Sequence, residues 1–286
     1  MISDITLGQF FPGRSPIHRL DPRTKIILAT FFIVAVFVAN NPAGFLVLGV
    51  LTAGLFAVSG ISGKVVLKSI KPIVFILIFT AILNIFMTMG QSEPLLSFWI
   101  IEIYTEGIAR AVMMALRVII LILGSSILLT YTTSPISLTD GLESLLSPLK
   151  RIKVPVHTFA MMMSIALRFI PTLVEETEKI MNAQKSRGAD FTSGSLVQRA
   201  KALIPILVPL FVSSFKRAEE LATAMECRCY RGDKNRTKLV KLEYRGADFL
   251  FIGIFFLLLC GLICLSVLPY NFESFGIIYD VIFYKV

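Results

Sequence analysis

The chain has 286 residues, 55% of them hydrophobic and 16% charged, with a mean hydropathy of +0.78. Soluble domains are about 45–50% apolar with about a quarter of their residues charged, so this composition excludes a water-soluble globule. The formal net charge is +9, which in so apolar a chain reads as the Lys/Arg excess of cytoplasmic loops and not as a nucleic-acid surface.

The first 24 residues are polar and charged and predict no cleavable signal peptide. Asp21 before Pro22 predicts a helix start, an N-cap acceptor followed by proline at the first helical position. Five apolar runs follow: Ile26 to Ala39, Ala43 to Gly60, Pro72 to Met89, Gly107 to Leu129 and Ala247 to Leu268. Several approach the ~20 residues that cross a bilayer; the first is short. Thr24 and Lys25 are expected to extend the first by snorkelling. Asn40-Asn41-Pro42 predicts a tight turn. Residues 61–71 form a basic loop with Lys64, Lys68 and Lys71. Residues 90–106 form an acidic loop with Trp99 and Tyr104, aromatic types that favour a membrane surface.

Lys and Arg set the topology. Arg14, Arg19, Arg23 and Lys25 precede the first run, the 40–42 turn has no basic residue, and the 90–106 loop has none. The segment 131–246 has 18 and the C-terminal tail only Lys285. The positive-inside rule then predicts a cytoplasmic N-terminus, five spans and an external C-terminus. The expected fold is an all-α, polytopic helical membrane protein. Residues 1–131 form a membrane domain of four spans, 132–246 a cytoplasmic or interfacial domain of one short and two long amphipathic helices, and 247–286 the last span and an outer tail.

The short helix is expected between Ser137 and Arg151, with Leu138, Leu142, Leu145, Leu146 and Leu149 at helical spacing. The long ones run from Pro155 to Arg187 and from Leu196 to Arg228, each about 50 Å at 1.5 Å per residue. Thr158 to Ile170 and Ala202 to Phe215 are apolar enough to resemble spans; charge bounds each, Pro171 closes the first and Pro205 and Pro209 lie in the second, which favours an interfacial placement, the alternative being that both cross and add a hairpin. In the first long helix Leu173, Thr177, Ile180 and Gln184 make a stripe, with Glu175, Glu176, Glu178 and Lys179 away from it. In the second, Phe211, Phe215, Ala218, Ala222 and Met225 form one face, and Lys216 and Arg217 are expected to pair with Glu220. The leftover apolar surface near the prolines, with Met161-Met162-Met163, needs a membrane protein or lipid to cover it, and methionine suits a surface that adapts to several shapes.

Catalytic signatures are missing. Gly60-Ile61-Ser62-Gly63-Lys64-Val65 has the wrong spacing for a phosphate loop. The four cysteines and two histidines do not converge on a zinc-ligand set. Arg110 and Arg117 share a face of the fourth span; Arg110 reads as snorkelling and Arg117 as a structural hydrogen-bonder, with Glu106 and Asn84 as the obvious partners. The sharper signal is Arg187 and Arg228. Each closes a long helix, where the dipole favours a cation, and each is flanked by small residues that leave the guanidinium free to pair with a carboxylate on a partner.

Three stretches resemble the transmembrane T component of energy-coupling factor (ECF) transporters. They are Ser15-Pro16-Ile17-His18-Arg19-Leu20-Asp21-Pro22-Arg23-Thr24-Lys25, then Ala183-Gln184-Lys185-Ser186-Arg187-Gly188, then Ala224-Met225-Glu226-Cys227-Arg228-Cys229-Tyr230-Arg231-Gly232 with Arg236-Thr237 beyond. The last two are similar to the family's paired Ala-Arg-Gly signatures; Ser186 and Cys227 replace the alanines and Cys229 the second glycine. The resemblance implies a non-catalytic subunit of a vitamin or metal-ion importer in a prokaryotic cell membrane. It implies that two ABC ATPases, which bind the ATP, dock at Ser186, Arg187, Gly188, Cys227, Arg228 and Cys229. It implies that a separate membrane-embedded S component binds substrate and meets Phe159, Met162, Met163, Leu207 and Phe211. No catalytic residue, cofactor or metal of its own, and no nucleic-acid partner, is expected. A self-contained secondary transporter or channel is the alternative, and would need substrate groups at mid-membrane.

Overall fold

The computed structural model describes residues 10–13, 15–87, 96–98, 101–189, 191, 195–232 and 242–267. Trp99, Arg236-Thr237 and the outer tail lie outside them. The described residues are all-α apart from one small hairpin, Leu96–Phe98 (β1) paired antiparallel with Ile101–Ile103 (β2), Ser97 opposite Glu102. The chain divides into two compact units. One comprises Phe10–Ser134 with Glu243–Val286, the other Pro135–Leu242 together with the first nine residues.

The first unit holds α1 (Pro22–Val38), α2 (Pro42–Ser59), α3 (Gly63–Ile70), α4 (Val74–Met87), α5 (Thr105–Ser125) and α9 (Gly246–Val267). Asp21 caps α1 as its sequence predicts, accepting from the Arg23 backbone N–H at 2.9 Å. The sequence's basic loop at 61–71 is mostly helix: α3 continues through a 3₁₀ turn at Lys71–Ile73 into α4. α1 lies against α9 and α5, and α4 against α5. Leu28, Phe32, Val36, Leu48, Ile127, Leu128 and Phe255 form the buried centre. The close crossing of α1 and α5 depends on Gly124, where a Cβ would stand 2.2 Å from the Phe32 ring. Outside this centre the surface is apolar: Phe75 on α4 is 77% exposed. Such a surface is a liability in water and ordinary against lipid tails.

Lys25 does not snorkel. Its side chain is buried, and Nζ donates to the Thr132 carbonyl at 2.7 Å and the His18 carbonyl at 3.3 Å. A buried ammonium needs acceptors, and these carbonyls supply them. Arg117 takes the structural role expected of it, but with other partners: it donates to the Ala39 carbonyl at 2.8 Å and Asn40 Oδ1 at 3.1 Å. Asn84 instead donates to the Thr80 carbonyl one turn back in its own helix. Arg110 is exposed.

The second unit holds α6 (Pro135–Leu145), a 3₁₀ turn at Ser147–Ile152, α7 (Val156–Ser186) and α8 (Leu196–Cys227). The face of α6 differs from the leucine stripe read in the sequence. Thr139, Gly141 and Glu143 are buried, while Leu142, Leu146 and Leu149 are exposed. Glu143 Oε1 and His157 Nδ1 lie 2.8 Å apart, joining α6 to the start of α7. α8 opens with a capping box in which Ser195 and Gln198 bond each other's backbone N–H. Pro171, Pro205 and Pro209 interrupt neither long helix. A proline removes one internal hydrogen bond, and each helix continues on both sides of it.

Among the described residues six helical stretches are long and apolar enough to cross a membrane. They include Val156–Ser186 and Val197–Cys227. α1, with 17 residues, is not among them.

Candidate docking ends of the two long helices

α7 and α8 lie against each other. Their crossing is fastened by Glu176 of α7, whose Oε1 accepts from Ser213 Oγ at 2.5 Å and whose Oε2 pairs with the Arg217 guanidinium of α8. Arg217 therefore does not pair along its own helix, and no ion pair joins Lys216 or Arg217 to Glu220 among the described residues. Glu176, which lies away from the stripe of its helix, is half-buried in the crossing. The long stripe of α8 splits. Ala218, Ala222 and Met225 line the gap towards Ile165, Phe169 and Leu173 of α7. Phe211 and Phe215 lie outside it, their rings 4.8 Å apart edge to face, and both are exposed.

The two helices end in the same way. Arg187 and Arg228 are the C-caps. After α7, the N–H of Gly188 donates to the Lys185 carbonyl at 2.9 Å and the N–H of Ala189 to Gln184 at 3.0 Å. After α8, the N–H of Cys229 donates to Glu226 at 2.8 Å and the N–H of Tyr230 to Met225 at 3.0 Å. This paired pattern is the Schellman motif. It requires a left-handed residue just past the cap, and Gly188 has φ +86° while Cys229 has φ +58°. A side chain in that region is disfavoured, so Cys229 holds a glycine conformation without being glycine.

The cap geometry puts Ser186, Arg187, Gly188, Cys227, Arg228 and Cys229 on the surface; all six are exposed. Neither guanidinium has a hydrogen-bond or ion-pair partner among the described residues. The surroundings differ at the two ends. Arg228 borders an open groove of about 630 Å³ that also takes in Arg168 of α7, Tyr230 and Arg231. Arg231 belongs to the signature stretch around Arg228, whereas nothing in the sequence marks Arg168, because the groove forms only when the end of α8 meets the middle of α7. Phe159, Met162, Met163, Leu207 and Phe211 are all exposed as well, between 49% and 66%. No three His, Cys, Asp or Glu side chains among the described residues could hold a metal ion.

The fold is that of a multi-pass helical membrane protein with two long, arginine-ended helices. The sequence profile of the cobalt transport protein family CbiQ matches residues 13–239. Relatives bear the name energy-coupling factor transporter transmembrane protein EcfT. That of Ruminiclostridium cellulolyticum is 55% identical over 254 residues, 89% of this chain and 94% of its own. That of Clostridium kluyveri is 52% identical over 270 residues, 94% and 97%. That of Bacillus subtilis is 49% identical over 248 residues, 87% and 93%. The chain belongs to the CbiQ family and is a transmembrane T component of an ECF transporter.

Proposed function

We propose that this T component is the mechanical coupler of an ATP-driven importer. Two cytoplasmic ABC ATPases, which bind the ATP, each take one of Arg187 and Arg228 in an acidic groove. A separate membrane-embedded S component binds a vitamin or metal ion and rests on the exposed face of Phe159, Met162, Met163, Leu207 and Phe211. The crossed α7–α8 pair passes ATPase movement to it. In this arrangement α1, α2, α4, α5 and α9 cross the cell membrane with the N-terminus cytoplasmic. The chain itself performs no catalysis and holds no cofactor.

The observation that carries this reading is the matched pair of helix ends: two exposed guanidiniums without a partner among the described residues, each presented by the same backbone motif. A helix-end cation stabilises an exposed helix by at most ~1 kcal/mol, so Arg187→Glu and Arg228→Glu leave the helices intact. Truncating one side of a desolvated charge pair across an interface costs ~2–5 kcal/mol, and reversal adds repulsion. Each single change impairs uptake while the other end still holds its partner at high effective concentration. The double change abolishes ATPase co-purification; Lys179→Glu, on the exposed side of α7, does not. Full ATPase recovery with the double variant would falsify the docking role. Orientation has its own test: Ser62→Cys in a cysteine-free background is shielded from an impermeant thiol reagent applied outside cells, and labelling from outside overturns the topology.

A further inference from the structure

A second basic groove lies in the membrane unit, away from the arginine-ended helices. It has about 310 Å³ and is lined by Arg19 and Leu20 of the N-terminal segment and by Arg245, Asp248 and Phe251 at the start of α9. Arg23, nearby, is committed: it pairs with Asp21 at 2.9 Å and lies over the Tyr244 ring at 4.0 Å. Asp248, 1% exposed, is committed too, accepting from the backbone N–H of Asp21 at 2.9 Å and of Arg245 at 2.7 Å. The side chains of Arg19 and Arg245 are exposed and have no partner among the described residues. The groove thus offers two free guanidiniums, with one carboxylate already occupied in its wall.

Its position says what those guanidiniums meet. α9 is the most apolar of the membrane-crossing candidates, starting at Gly246. Phe249 and Leu250 on its first turns are 65% and 59% exposed. The groove therefore sits where a span enters the bilayer, with charge at headgroup level and apolar side chains directly beyond it. Free cations beside exposed apolar surface at that depth complement a molecule that is anionic at one end and acyl at the other. We infer that Arg19 and Arg245 hold the phosphate of an anionic phospholipid whose acyl chains run along the outer face of α9.

The test uses the full chain in nanodiscs of phosphatidylcholine and phosphatidylglycerol in equal parts, followed by extraction and native mass spectrometry of retained lipid. Phosphatidylglycerol is enriched over phosphatidylcholine. Each of Arg19→Gln and Arg245→Gln lowers the enrichment about five-fold, from the worth of one basic residue at a charged membrane surface, and the pair lowers it further. Arg19→Lys with Arg245→Lys retains most of it. Lys64→Gln, an exposed basic residue outside the groove, leaves it unchanged. If the paired variant does not accumulate, the single variants are read in the same way. The inference is overturned by equal enrichment in wild type and the Gln variants, or by none in wild type. It is also overturned if soluble glycerol phosphate displaces the lipid as well as phosphatidylglycerol does, which makes the site one for a free anion. Loss of a co-purifying protein subunit without loss of lipid overturns it in favour of an acidic protein partner.

Discussion

The Arg217 guanidinium of α8 meets the Glu176 carboxylate of α7 where the two helices cross, with the side chains 33% and 22% exposed. Ser213 binds the second oxygen of the same carboxylate. One acid therefore fastens two donors one turn apart on the neighbouring helix, which sets the register of the crossing. Glu176→Ala leaves both donors half-buried without an acceptor, a loss of about 1–3 kcal/mol. Arg217→Ala removes only one bond and costs less. The double variant is expected to cost less than the sum of the two, with a coupling of about 0.5–3 kcal/mol. Thermal unfolding of the three variants in detergent checks this, and strict additivity would show that the pair does not hold the crossing.

The two helix ends make a controlled comparison of backbone strain. Nothing lies within 4 Å of a Cβ built on Gly188, so Gly188→Ala tests conformation alone and is expected to destabilise by about 1 kcal/mol. Cys229→Gly removes a side chain from the same left-handed region. That gain is partly offset by the greater freedom of glycine in the unfolded chain, so the net change is between zero and about 1 kcal/mol stabilising. Opposite signs in the two melting shifts are the expected result. A loss at both ends would mean that the Cys229 thiol makes a contact outweighing its strain.

Much of this was legible because it is local. Asp21-Pro22 marks a helix start through one side chain and one fixed φ. Arg187-Gly188 marks an end through one left-handed residue, so the expected spans of the long helices differ from α7 and α8 by a residue at each of three ends. Relations across helices were not legible. Periodicity set Glu176 only apart from the stripe of its helix, since it cannot show which neighbour arrives with a serine and an arginine. Lys25 reads as a snorkelling residue until the Thr132 carbonyl is placed beside it. The hairpin at 96–103 has strands too short for an alternating pattern. The prolines of α7 and α8 overstate a break, because a helix more than thirty residues long loses little by missing single bonds. The groove around Arg228 needs Arg168, distant in sequence, and no spacing rule connects them.

Gly124 and Phe32 test the packing of the membrane unit. A Cβ at 124 would stand 2.2 Å from the ring of Phe32, which is 1% exposed and has no room to swing aside. Gly124→Ala is expected to destabilise by about 1–3 kcal/mol through overpacking. Phe32→Leu alone leaves a void and also destabilises. Combined, the smaller residue accommodates the new methyl, and the double variant is expected to be more stable than Gly124→Ala alone. Unfolding temperatures in one detergent check the order; a double variant below both singles would mean that α1 and α5 approach differently.

The exposed apolar face of the second unit is the remaining surface to be tested. Met162 is 49% exposed and Phe211 66%, on different helices. Neither is needed for the core, so a charge at either costs the fold little. Surface substitutions away from packed features typically change stability by no more than ~0.5 kcal/mol. Apolar side chains this exposed are unfavourable in water and call for a covering surface. A membrane-embedded S component and lipid both provide one, and they respond differently to a charge. A protein interface concentrates its binding energy in a few buried anchors, and a carboxylate driven into such an anchor site leaves a desolvated, unpaired charge. Phe211→Glu and Met162→Glu are therefore expected to reduce S-component recovery at least ten-fold in a pull-down on the T component, with ATPase recovery unchanged. Val197→Glu, equally exposed at 65% but at the far end of α8, serves as the control and is expected to leave both recoveries intact. Unchanged S-component recovery with Phe211→Glu, at normal protein levels, would assign this face to lipid.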